Sequence, residues 1–148
     1  MPEYYLIFFR LTVAVLLGGL LGWERGHIGK AAGVRTYALV SLGSALFTLI
    51  SVYGFPQAIQ GSVDPSRIAS QIVIGIGFLG AGSIFRHQSH IEGLTTAAGL
   101  WVVSAIGMAV GIGWVIPAIT ATVVVFILLI MFPWTHVQEE GNRTKKIL

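Results

Sequence analysis

The stretch GLTTAAGLWVVSAIGMAVGIGWVIPAITATVVVFILLIMFP, residues 93–133, contains no charged side chain. It runs for about forty residues, whereas a hydrocarbon core about 30 Å thick takes only about twenty for one helix. The stretch therefore holds two spans. The break falls at Gly111-Ile112-Gly113-Trp114, with Pro117 just after. Nothing soluble needs such a run, so the chain reads as a membrane protein and lipid is the solvent for the rest of it.

The composition agrees. Of 148 residues, 55% are hydrophobic and 10% charged, with a mean hydropathy of +0.83; a soluble domain carries about 25% charged residues. The length suits one domain of about five spans with short connectors. A net charge of +3 does not make a nucleic-acid binder here, because the nine Lys and Arg residues are scattered at span ends and form no patch. The absence of cysteine excludes disulfides and thiol chemistry. The opening residues, Met1 to Tyr5, lack a positive n-region, and no small-residue cleavage pattern follows the first apolar segment. That segment is expected to be a retained span.

The expected fold is all-α and polytopic, with spans at about residues 4–21, 34–53, 65–85, 94–110 and 114–132. Residues 1–133 form the transmembrane domain and residues 134–148 a short tail. Asp64-Pro65 is a helix start, since the carboxylate caps free N–H groups and proline sits where its missing donor is harmless. Five spans place Arg25, Lys30, Arg35, Arg86, Arg143, Lys145 and Lys146 on one side, against Arg67 on the other and Arg10 inside span one. Positive residues gather on the cytoplasmic side, so the N-terminus is expected outside and the tail in the cytoplasm. Four spans would weaken that bias.

Helices in lipid associate by close packing, which needs small residues four apart. Span one offers Ala14, Gly18 and Gly22, and span three Gly77 and Ala81 with Gly75, Gly80 and Gly82. Span four offers Gly99, Gly107 and Gly111 on one stripe and Ala105, Ala109 and Gly113 on another. Such faces serve internal packing, a dimer interface or a pore lining. Gly75 to Gly80 also fits G-x-G-x-x-G, but that motif works as a strand-to-helix turn. Here it lies inside an apolar span.

Charges inside a bilayer need partners. Arg10 lies about two turns into span one, and Asp64 and Arg67 sit at the outer end of span three, with Gln71 on the same face as Arg67. Arg10 with Asp64 is the expected outer pair. On the inner side Glu24 with Arg35 would brace the first connector, while Arg25, Lys30 and Arg86 snorkel to headgroups. His87, His90 and Glu92 lie together in a short turn as a candidate metal cluster, and His27 and His136 are read as solvated. No Ser/His/Asp set is discernible, and an enzyme is not expected.

Four segments carry a resemblance to a known family. They are Arg10 through Ala14 and Gly18 to Glu24-Arg25; Gly33-Val34-Arg35-Thr36; Asp64 to Gln71 running into Gly75 to Gly82; and Gly93 to Ala98 with Trp101. The chain resembles the MgtC/SapB family of bacterial membrane proteins over residues 10–101. The resemblance implies an inner-membrane protein of about five helices, linked to magnesium limitation and, in some members, to survival inside host cells. Val34 stands where leucine is common. The virulence-associated members carry a small cytoplasmic domain after the last span, and the chain looks like a membrane-only form.

Two functions fit these features. One is a cation-linked transporter or channel, working as an oligomer, with Asp64 outside and Glu24 inside as carboxylates for Mg2+. The other is a regulatory membrane subunit that docks on another membrane protein, with Mg2+ as signal. The surplus of small-residue faces points to self-association as a two-fold dimer through Gly77 and Ala81, or through Gly18 and Gly22.

Overall fold

The computed structural model describes residues 3–55, 64, 66–88 and 90–131. Five helices follow one another: α1 (Tyr4–His27), α2 (Val34–Tyr53), α3 (Ser66–Gly82), α4 (Leu94–Gly111) and α5 (Val115–Met131). The fold is all-α, as expected. The turn before α4 adds only two short antiparallel strands, β1 (Phe85–Arg86) and β2 (Ile91–Glu92). The tail at 134–148, with His136 and its three basic residues, lies outside the described residues.

Glycine sets two of the helix ends. At the predicted break, Gly113 takes a left-handed conformation (φ +95°). The Trp114 N–H donates to the Ala109 carbonyl at 2.8 Å and the Gly113 N–H to Val110 at 2.9 Å. This is the Schellman arrangement, in which a left-handed residue lets the chain turn back on the last free carbonyls. The end of α1 repeats it: Gly29 has φ +71°, Lys30 donates to Arg25 at 3.0 Å and Gly29 to Gly26 at 3.1 Å. That end comes later than the expected Leu21. The polar pair Glu24-Arg25 reads as connector, yet both residues are helical and buried.

By length and composition α1, α2 and α4 can each cross a bilayer, while α3 and α5 are apolar helices of 17 residues. At about 1.5 Å per residue α1 spans about 36 Å. Most large apolar side chains face outward, among them Phe8, Ile74, Phe78 and Ile116, each more than two-thirds exposed. Helices that are apolar all round belong in a core or in lipid, and these residues are not in the core.

α2 is the central element. It packs against α1, α4 and α3, while α5 lies on α4 and α1. Ala14, Leu21, Tyr37, Ala45, Val103 and Val110 form the heart of the buried cluster. The order is up and down. The end of α1 meets the start of α2, since a Cβ on Gly22 would touch Gly33 and Tyr37. The start of α4 meets the same region through Tyr37 and Thr96, and the end of α3 lies on α4 at Ala97.

Candidate functional site

Polar groups gather at both ends of this bundle and along the face of α2 that joins them. At the end where α1 finishes, Glu24 and Arg25 are 8% and 4% exposed. Arg25 Nε donates to Glu24 Oε2, and Arg25 Nη2 donates to Oε1 at 2.6 Å. Both carboxylate oxygens are therefore held by a guanidinium fork, the stronger form of ion pair. The expected Glu24–Arg35 brace is not formed. Arg35 is exposed in the first turn of α2, and Arg25, one residue from Glu24, takes its place. Nor does Arg25 snorkel. Arg86 is exposed on β1.

Between the ends runs a row that sequence reading missed. Tyr37, Ser41, Ser44, Thr48 and Ser51 are spaced four, three, four and three apart, and all are buried. That spacing is one face of a helix, and it was the available signal. Tyr37 OH donates to Thr96 O at 3.5 Å, Ser44 and Ser104 hydroxyls meet at 2.9 Å, and Thr48 Oγ1 donates to Ser44 O at 2.7 Å. Ser41 Oγ has no protein partner among the described residues.

The glycines of α1 and α4 are what admit this row. A Cβ on Gly18 would lie 2.7 Å from both Ser41 Cβ and Tyr37 O. One on Gly111 would lie 2.7 Å from Ala45 O, and Gly99 and Gly107 are closed by Tyr37 OH and the Ser41 carbonyl. Gly18 and Gly22 are thus spent inside the protomer, and the expectation that they serve a dimer is corrected. Gly80 rests on Ala97. Around Gly75, Gly77 and Gly82 a Cβ would meet nothing within 4 Å. Beside them, a lateral groove of about 470 Å³ opens between α2 and α3, lined by Leu39, Gly43 and Phe47 and by Gln71, Gly75 and Leu79.

At the opposite end Arg10 Nη1 donates to Gly111 O at 2.9 Å and to Tyr53 OH at 3.3 Å. Its guanidinium carbon is 5.8 Å from the centre of the Tyr53 ring. The expected pairing with Asp64 is not formed. Arg10 finds the carbonyl end of α4, where the helix dipole is negative, and so ties α1, α2 and α4 together. Asp64 is exposed and caps α3: Oδ1 accepts from Ser66 N at 2.8 Å and Oδ2 from Ser66 Oγ at 2.9 Å. These bonds hold its pKa below the usual aspartate value. Arg67 and Gln71 are exposed on α3. Asp64 and Glu24 therefore stand at opposite ends and cannot share one ion. The His87, His90 and Glu92 side chains do converge, on the β1–β2 hairpin.

The MgtC family model matches residues 11–138. Among curated proteins the chain is 45% identical over 126 residues to "Putative magnesium transporter YhiD" of Escherichia coli K12, covering 83% of this chain and 59% of that protein. It is 46% identical over 113 residues to Protein MgtC of Brucella abortus strain 2308 (76% of this chain, 45% of that one). Against Protein MgtC of Salmonella typhimurium strain 14028s it is 44% identical over 128 residues (84% and 53%). The chain thus spans about half the length of these relatives. No solved structure matches it.

Proposed function

The chain belongs to the MgtC family, and we propose that it is a non-enzymatic component of magnesium homeostasis that docks on other membrane proteins rather than conducting ions through its own core. Its five helices all cross the bacterial inner membrane, with the N-terminus outside and the tail in the cytoplasm. The name of one relative, "Putative magnesium transporter YhiD", supports the link to magnesium, and the Lys/Arg asymmetry supports the orientation. A reporter fused after Leu148 is expected to read cytoplasmic and one near Gly61 external; a tail found outside overturns the orientation.

One observation carries the docking reading. Mg2+ gives up its waters reluctantly, so a conducting path must be wide and wet. Along the α1–α2–α4 interface the glycine backbones lie directly against Tyr37, Ser41, Ala45 and Thr48, leaving no room for a methyl group. Both oxygens of Glu24 are already bound to Arg25. Mg2+ is then the signal and not the cargo. A second reading is favoured by the open glycines of α3: a dimer formed along Gly77 and Ala81 could border a path between copies, with Asp64 near its mouth.

Flux separates the two. Purified protein alone in liposomes loaded with a magnesium-sensitive dye is expected to admit Mg2+ no faster than protein-free liposomes. A flux that Gly77→Leu abolishes would overturn the docking reading in favour of conduction between copies.

A further inference from the structure

The hairpin between α3 and α4 holds a second arrangement, independent of the magnesium question. Arg86 pairs with Ile91, and the His87 N–H continues the ladder to the His90 carbonyl at 2.9 Å. His87 and His90 are therefore cross-strand partners, whose side chains share one face. Side chains two apart on a strand also share a face, which adds Glu92 to that of His90. Backbone geometry alone thus puts two imidazoles and a carboxylate together. Their rings stack with centroids 4.8 Å apart, His90 Nε2 lies 2.9 Å from Glu92 Oε1, and His87 Nε2 lies 3.9 Å from Oε2.

We propose that His87, His90 and Glu92 form a binding site for a zinc-class divalent transition metal. One ligand atom from each residue falls within 4.8 Å of the others. Ligands about 2.0–2.1 Å from a tetrahedral ion stand about 3.4 Å apart, so a contraction of at most about 1.4 Å completes the set. All three residues are exposed, so an ion can reach them from solvent. Two imidazoles with one carboxylate suit zinc and its neighbours, whereas magnesium prefers oxygen alone. Three protein ligands leave a fourth position for water.

The support beneath the site is firm. Gly93 has φ +88°, and a Cβ there would run into the Ser83 carbonyl. Ser83 in turn donates to Gly80 O through both its N–H, at 3.0 Å, and its hydroxyl, at 2.7 Å. The hairpin is thus fastened to the end of α3 and the start of α4. A metal ion held across it would staple the corner that fixes α3, the helix on which Gly75, Gly77 and Gly82 meet nothing, to the rest of the bundle.

The test uses the full chain in detergent, purified without a polyhistidine tag and titrated with Zn2+ against a chromophoric chelator, with Co2+ as a spectroscopic probe. One Zn2+ per chain is expected, undisturbed by a hundredfold excess of Mg2+. His87→Asn and His90→Asn should each weaken binding by at least about tenfold, since even outer partners of a ligand are worth 10–100-fold. His27→Asn, whose ring stacks on Trp23, should change nothing. Amide exchange over residues 83–93 should slow on adding Zn2+. A native chain that binds no Zn2+, or binding that survives in the His87→Asn/His90→Asn double variant, overturns the site.

Discussion

Replacing Gly107 by alanine adds one methyl group at the closest approach of α4 to α2. That methyl would lie 2.9 Å from Ser41 Cα and from its carbonyl carbon, and nearer still to the oxygen. Relaxed carbon contacts lie at about 3.5–4.0 Å, so the helices must part by about 0.6–1 Å. The obstacle is backbone of the central helix, which cannot rotate away as a side chain does. Overpacking of this kind costs about 1–3 kcal/mol, and the upper half applies here. Alanine also favours a helix over glycine by about 1 kcal/mol, which partly offsets the clash. Gly75→Ala gives the reference, because a Cβ there meets nothing within 4 Å and the same propensity gain stands alone. The two variants should then differ by the clash itself, about 2–3 kcal/mol. For a chain of this size that is a gap in Tm on the order of 5–10 °C, read by thermal unfolding in one detergent. If Gly107→Ala matches Gly75→Ala, α2 and α4 do not meet as described.

Glu24→Gln leaves Arg25 buried without its counter-charge and should destabilise by about 3–5 kcal/mol, whereas Glu24→Leu with Arg25→Met should recover most of that; a double variant as unstable as the single one in denaturant titration would remove the pair as the cause. Arg10→Met loses the bonds to Gly111 O and Tyr53 OH and should cost about 1.5–3 kcal/mol, while Tyr53→Phe should cost less, about 0.5–1.5 kcal/mol; equal Tm losses would mean that the Gly111 carbonyl contributes nothing. Gly77→Leu should shift the species in mild detergent towards monomer with Tm unchanged, and Gly18→Leu should lower Tm; a native chain already monomeric in detergent and in lipid would dispose of the dimer.

The helices themselves were legible, and the reason is lipid: a segment that must satisfy every backbone group internally shows as an uninterrupted apolar run. The break at Gly111 to Trp114 was legible because glycine at a left-handed position marks a helix end. The end of α1 was not. Glu24 and Arg25 look like a solvated connector, yet both are good helix formers, and their mutual pairing lets them be buried. The pairings were illegible for a different reason. Arg10 bonds to a backbone carbonyl 101 residues away, and every residue has a carbonyl, so no residue type announces that partner. The glycines divide the same way. Gly18 with Gly22 and Gly77 with Ala81 have identical spacing, and only the position of α2 decides which of the two pairs is consumed in packing.

That division also says where the molecule can work. To open a wet path along the hydroxyl face of α2, the bundle would have to separate α2 from α1 and α4 together. The move would strip Tyr37, Val103 and Val110 of their burial and break the Arg10 tie that holds the three helices at one end. α3 faces no such obstacle. A Cβ on Gly75, Gly77 or Gly82 would meet nothing within 4 Å, and a groove opens beside α2. A partner helix can therefore seat on the open face of α3 with the core intact, since Ile76, which belongs to that core, is buried on the other side. The firm attachment of α3 is at its end, through Gly80, Ser83 and the Gly93 turn. Whatever tightens the hairpin, a bound metal above all, would set how far α3 can move, and so would act on docking without touching the sealed interior.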